Sequence, residues 1–130
     1  MNKLDSAFNF HQTSLRVLGD RQSILASNIA NEETPNYKAR DIAFNETLNQ
    51  ALVSQRQSTP APEPTIQYRL SSQPTADGNT VDGNTERQHF TDNAIRMGDK
   101  DSLMAMQLVW IAESAELESL NKSETTQIKQ

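Results

Sequence analysis

The sequence predicts an all-α protein. Two long amphipathic helices at the chain ends would pack as a coiled-coil-like hairpin, joined by a Pro-rich loop with at most a short β segment. Two observations predict this. Apolar residues recur in steps of four and three near both ends, the a/d spacing of a helical seam. Between them, Pro60, Pro62 and Pro64 stand among Ser, Gln and Thr, a composition that favours extended, solvated chain.

The first row is Leu4, Phe8, His11, Leu15, Leu18, Gln22, Leu25 and Ile29. A second line of Phe10, Val17 and Ile24 lies beside it on the helical wheel. The apolar stripe is therefore too wide for one neighbouring helix. Gly19 in its middle costs about 1 kcal/mol relative to Ala. The helix should end near Asn31, because Pro35 disfavours helical geometry at Thr34 and donates no backbone hydrogen bond. Pro35 and Asn36 suit the centre of a β-turn, since Asn tolerates a left-handed backbone. Tyr37 follows and can fold back onto the helix, with Lys38 and Arg40 around it.

Beyond the corner, Phe44, Leu48 and Leu52 place one apolar face on a short helix between Ile42 and Val53. The stretch "TIQYRL" alternates Ile66, Tyr68 and Leu70 and reads as a brief strand. "DGNT" then occurs twice, at 77–80 and 82–85. It lacks the loop order of a calcium-binding hand and reads as tandem turns leading into a helix. Thr85 with Gln88 suggests a capping box. The second row follows: Phe90, Ala94, Met97, Asp101, Met104, Leu108, Ile111 and Ala115, with Leu103, Met106, Trp110, Leu117 and Leu120 on a neighbouring line. Gly98, with Asp99 to Asp101 after it, marks a point where this helix can kink. In these terms the chain divides into an N-terminal helix over 1–31, a corner over 32–44, a loop or linker over 45–76, a C-terminal helix over 77–120 and a flexible tail over 121–130.

Composition narrows the function. The 130 residues amount to one domain, and 35% hydrophobic residues with 5% aromatic leave little to bury. A net charge of −5 argues against a nucleic-acid partner. The charge is uneven: residues 1–31 hold three basic and two acidic side chains, residues 77–130 five and ten. There is no cysteine, so disulfides, thiol catalysis and thiolate metal sites are excluded. No apolar run approaches the roughly 20 residues of a membrane span. The first residues show no basic leader followed by an apolar core, so no cleaved signal is expected.

No reaction is legible. His11 and His89 are far apart and make a poor metal pair. Glu32, Glu33, Glu113, Glu116 and Glu118 read as solvated helix faces, not as an acid–base pair in a cleft. Neither a nucleophile elbow nor a phosphate loop occurs. The sequons at Asn45 and Asn121 are chance-level patterns. No enzymatic activity, cofactor, metal or small-molecule substrate is expected. Two end helices with stripes broader than one neighbour covers imply a protein completed by assembly.

The stretch "SNIANEETPNYKARDIAF" closely resembles the Asn-Ile-Ala-Asn-x-x-Thr-Pro-Gly-Tyr-Lys signature at the end of the first helix of bacterial flagellar rod and hook proteins. Its continuation, Lys38 to Ile42 with Phe44, looks like the proximal rod B type of basal-body rod protein. "YRLSSQPTADGNTVD" and "FTDNAI" are similar to the segments around the start of that family's last helix. Asn36 stands where the family has Gly. From Gly98 onward the chain departs from the family's usual last helix.

The resemblance covers residues 1 to about 97. It implies a structural subunit exported by the flagellar type III apparatus and assembled helically into the rod in the periplasmic space, where it transmits torque. Its partners would be itself and other rod proteins. Leu4, Phe8, Leu15, Leu18, Leu25 and Ile29, with Phe90, Ala94, Met97, Met104, Leu108 and Ile111, would be assembly seam residues. Asn28, Asn31, Thr34, Pro35, Asn36, Tyr37 and Lys38 would form the corner that turns the chain out of the inner helix. A coiled-coil adaptor or export chaperone is the rival class; it would not need the Thr-Pro-Asn-Tyr corner.

Overall fold

The computed structural model describes residues 3–70 and 75–128, with side chains over 5–70 and 75–125. Three helices and a two-stranded sheet follow in the order α1 (Lys3–Ala30), β1 (Arg40–Ile42), α2 (Phe44–Arg56), β2 (Ile66–Tyr68) and α3 (Gly83–Ile128). The protein is thus mostly helical. No described helix is long and apolar enough to cross a membrane.

Helices α1 and α3 run antiparallel. Asn28 bonds Glu86, Gln22 bonds the Phe90 carbonyl, Asn93 bonds the Leu18 carbonyl, and Lys100 lies 3.4 Å from the His11 ring. As one number falls the other rises, so Lys3 at the start of α1 lies opposite roughly residue 108, taking the 1.5 Å rise of both helices. About 20 residues of α3 extend past that point, a length of about 30 Å.

Burial sharpens the register of α3. The residues on its α1 side are Gly83, Glu86, Phe90, Asn93, Met97, Lys100, Met104, Gln107 and Ile111, all buried or half-buried. Phe90, Met97, Met104 and Ile111 belong to the row read from sequence. Ala94, Asp101 and Leu108 do not join this contact; they are exposed, and Leu108 keeps 54% of its surface. Asn93, Lys100 and Gln107 take their places one residue earlier. The physical reason at 93 and 100 is polar pairing: α1 offers Gln22, the Leu18 carbonyl and His11 along that line, and these need polar partners rather than methyl groups.

On α1, Leu18 and Leu25 are buried, while Phe8, Leu15 and Ile29 are half-buried. The Leu4 side chain lies outside the described residues, as do Gln73 and Pro74. The remaining core is Val17, Ala39, Ile42, Leu48 and Ala51. Helix α2 lies inside the span assigned to a linker. It docks on α1 by burying Leu48 and Ala51, and Gln55 ties it to Thr13 and Asn9. Ile42 belongs to β1 and not to that helix. It pairs with Ile66 in an antiparallel ladder where Asp41 faces Gln67 and Arg40 faces Tyr68.

Two boundaries of α3 also differ from the sequence reading. Asp82 caps its start, with its carboxylate accepting from the amides of Asn84 and Thr85, so Thr85 lies inside the helix instead of capping it. At the other end the helix passes Gly98 without a break and continues to Ile128, across the span read as a tail. Lys122, Glu124 and Gln127 there are good helix formers, and no Pro or Gly interrupts the segment.

Leu25→Ala should cost about 3 kcal/mol through lost burial and a residual cavity. Leu108→Ala should stay within about 0.5 kcal/mol. Urea denaturation of the two variants checks the difference, and equal losses would contradict this register.

Candidate functional site: a polar joint at the helix corner

The corner begins where α1 runs out of partners. The turn Thr34-Pro35-Asn36-Tyr37 is closed by the Tyr37 amide donating to the Thr34 carbonyl at 3.3 Å. Asn36 takes φ 63°, the left-handed region. Its amide donates to the Asp77 carbonyl at 2.8 Å, and Lys38 reaches the Gly78 carbonyl. Gly78 has φ 75°, and a Cβ there would come 2.6 Å from Asn36 Oδ1, so the two turns sit face to face with no room for a side chain.

Asn79 finishes α1. Its buried Nδ2 donates to the carbonyls of Asn31, Glu32 and Thr34 at 3.0, 3.1 and 2.7 Å. These carbonyls belong to the turn just past Ala30, and the Asn79 amide holds that turn together at the α1 end. Asn31 Nδ2 adds a bond back to the Ser27 carbonyl, and Thr34 Oγ1 donates to Asn31 Oδ1. The two copies of "DGNT" therefore do opposite jobs. The first closes the end of α1 through Asn79, and the second starts α3 through Asp82.

Beneath the turn lies a chain of buried polar groups. Asn28 is fully enclosed. Its Nδ2 donates to the Arg40 carbonyl at 2.6 Å and to Glu86 Oε2 at 2.8 Å. Its Oδ1 accepts from the Arg40 amide at 3.0 Å and the Tyr37 hydroxyl at 3.3 Å. Glu86, equally enclosed, pairs through Oε1 with Arg69 Nε at 2.6 Å. Arg69 also reaches Asp41 Oδ2 at 2.6 Å. Arg21 grips both oxygens of Asp41, at 2.8 and 3.0 Å, in the fork geometry that suits a carboxylate. Arg21 then touches Asn93, which bonds the Leu18 carbonyl and Gln22.

Five elements of the chain thus meet through side chains: α1, the corner, β1, the β2 end and α3. The charge balance explains the protonation states. Burial works to raise the Asp41 carboxyl; the Arg21 hydrogen bond, the Ile42 amide and the nearby Arg21 and Arg69 charges overcome it and hold it below the ordinary carboxylate range. The Asp41 hydrogen bond in turn raises the Arg21 guanidinium, against its burial. At the far end of the α1–α3 contact, burial and then the Lys100 charge lower His11. Lys100 sits 5.3 Å over the Phe10 ring, a cation–π contact. Among the described residues no three His, Cys, Asp or Glu side chains are grouped to hold a metal.

The corner residues singled out from sequence are all at the joint. Asn28 and Tyr37 are in its polar chain, and Asn31, Thr34, Pro35, Asn36 and Lys38 are in the turn above it. Arg21, Asp41, Arg69, Glu86, Asn93 and Asn79 do as much and were not singled out. Charged residues within apolar-patterned segments were the available signal. Arg21 precedes Gln22 of the α1 row by one position, and Glu86 precedes Phe90 by four.

Each charged group of the joint is committed to another group of the same chain. That is the arrangement of a structural joint in a mostly helical protein. Comparison with known proteins carries this further. The chain is 40% identical over 114 residues to the flagellar basal body rod protein FlgB of Escherichia coli, covering 74% of this chain and 83% of that one. The same figures hold for the FlgB protein of Salmonella typhimurium. Against that of Aeromonas hydrophila the identity is 42% over 104 residues, covering 70% and 78%. A model of the virulence-associated protein E-like domain matches residues 83–130, essentially α3 alone and under half of the chain. The chain belongs to the FlgB family of flagellar basal body rod proteins, whose members are structural components of the proximal rod and not enzymes.

Asp41→Asn should cost about 3 kcal/mol at neutral pH, since it leaves the part-buried Arg21 guanidinium without its carboxylate and Arg69 with Glu86 alone. The carboxylate's contribution is fully present above the unfolded value of about 4 and is lost as pH falls through the lower folded value. The stability gap between wild type and variant should therefore be constant above about pH 4 and shrink below it. Denaturation curves at stepped pH measure this; a gap that widens in acid would contradict the assignment. At the turn, Asn36→Gly should be neutral or slightly stabilising, whereas Asn36→Val should cost about 2 kcal/mol for a β-branched residue at positive φ. Thermal melts of the two separate the cases.

Proposed function

We propose that this chain is a subunit of the proximal flagellar rod that leaves the cytoplasm through the flagellar type III apparatus and assembles helically with itself and other rod proteins to transmit torque. Family membership supports the place, and the uncovered length of α3 supports the assembly. Val109, Trp110, Leu117 and Leu120 are more than half exposed, in a helix that has outrun its only long neighbour. A chain that must bury such groups does so against other subunits.

In this reading α1 and the first half of α3 form a coiled-coil-like hairpin that lines the rod. Phe8, Leu15 and Ile29 of α1, half-covered within one chain, complete their contacts on neighbours, as do Ala94 and Leu108 of α3. The joint fixes the angle at which the corner, the sheet and α2 leave the hairpin. Torque passes through it as shear between elements held by ion pairs rather than by a flexible loop. The adaptor alternative is not favoured, because the corner and its polar chain would be idle in it.

A strain lacking this chain should have no complete rod and no swimming motility. Complementation should restore both, with the chain recovered in purified basal bodies. Normal basal bodies and motility in the deletion strain would overturn the proposal.

A further inference from the structure

Five of the eight exposed large apolar residues described in α3 fall on one line. Leu103, Met106, Trp110, Glu113, Leu117 and Leu120 step by three and four, so they form one continuous a/d row on the side turned away from α1. The five apolar members keep between 42 and 68% of their surface. The row also reads nearly the same in both directions. About a midpoint between residues 111 and 112, Leu103 mirrors Leu120, Met106 mirrors Leu117, and Trp110 mirrors Glu113.

We propose that this row is the interface of a two-fold antiparallel pair of α3 helices from two copies of the chain. In that arrangement Leu103 of one copy meets Leu120 of the second, and Met106 meets Leu117. These are the alternating a-with-d layers of an antiparallel two-stranded seam. The odd member, Glu113, becomes the argument for direction. A parallel pair would set Glu113 against Glu113 inside the seam, two like charges taken out of water. The antiparallel pair sets it against Trp110, whose indole N–H is a donor with no acceptor function and suits a carboxylate. The exposed flanking positions then pair Val109 with Glu116 and Ser102 with Ser123, so no like charges oppose one another there.

The pair uses the same patch on both copies, so it is closed and does not propagate into a filament. It is therefore a state of the subunit outside the rod, and it covers the row that would otherwise be bare in solution. The inference does not rest on the rod reading. It follows from the pattern of the helix itself.

The chain's lack of cysteine makes the test direct. Leu103→Cys and Leu120→Cys are made separately in the full chain, and circular dichroism confirms that helix content is unchanged. Under mild oxidation a mixture of the two variants should give a covalent dimer, and neither variant alone should give one, because like positions would be about 25 Å apart along the axis. Sedimentation of the unmodified chain should show one copy passing to two as concentration rises, and Trp110→Ala should weaken this at least about tenfold. Self-cross-linking of Leu103→Cys alone would mean a parallel pair and overturn the proposal. So would a monomer at every concentration, or dimerisation that Trp110→Ala leaves unchanged.

Discussion

The carboxylate of Asp41, held by Arg21 from α1 and by Arg69 beyond β2, is the interaction on which the rest of the structure turns. Charges half withdrawn from water are expensive unless each is answered at close range. Arg69 passes the obligation on to Glu86 of α3, and Glu86 passes it to Asn28 of α1. Each link is between segments distant in the chain. Apolar contacts can slide by a residue at modest cost, but a fork of two hydrogen bonds cannot. The ion pairs therefore set where α1, the sheet and α3 stand relative to one another, and the small apolar core fills in around them.

The same requirement explains why α3 uses the register it does. Asn93, Lys100 and Gln107 lie on the α1 side where a purely apolar count would place Ala94, Asp101 and Leu108. An amide at 93 satisfies the Leu18 carbonyl and the Gln22 side chain together. The displaced Leu108 contributes to an exposed flank, and the helix beyond it carries apolar side chains with nothing from its own chain beside them. Within one copy, that part of α3 is a helix surface that the described fold leaves exposed.

The tandem "DGNT" shows how local chemistry takes its meaning from its surroundings. Both copies make the same kind of Asx turn, with Asp77 accepting from the Asn79 amide and Asp82 from the Asn84 amide. In the first copy the Asn side chain points at the end of a helix and closes it. In the second, the Asp opens one. The intervening Val81 amide donates to Asn79 Oδ1, so the two turns are one continuous device linking the end of α1 to the start of α3.

By itself the sequence determined the two long end helices, the break at Pro35, the left-handed candidate at Asn36, the brief strand around Ile66 to Tyr68 and, through "SNIANEETPNYK", the family. These are local or near-local properties: a period of 3.6, a missing amide hydrogen, a side chain that tolerates positive φ. The tertiary structure alone decided which face of α3 meets α1, that the short helix after the corner docks on α1, and that Arg21, Asp41, Arg69 and Glu86 form one joint. Those depend on contacts between residues 20 to 75 positions apart. A charge in a sequence looks the same whether water or a counter-ion is to receive it, and only the folded chain brings the counter-ion within 3 Å.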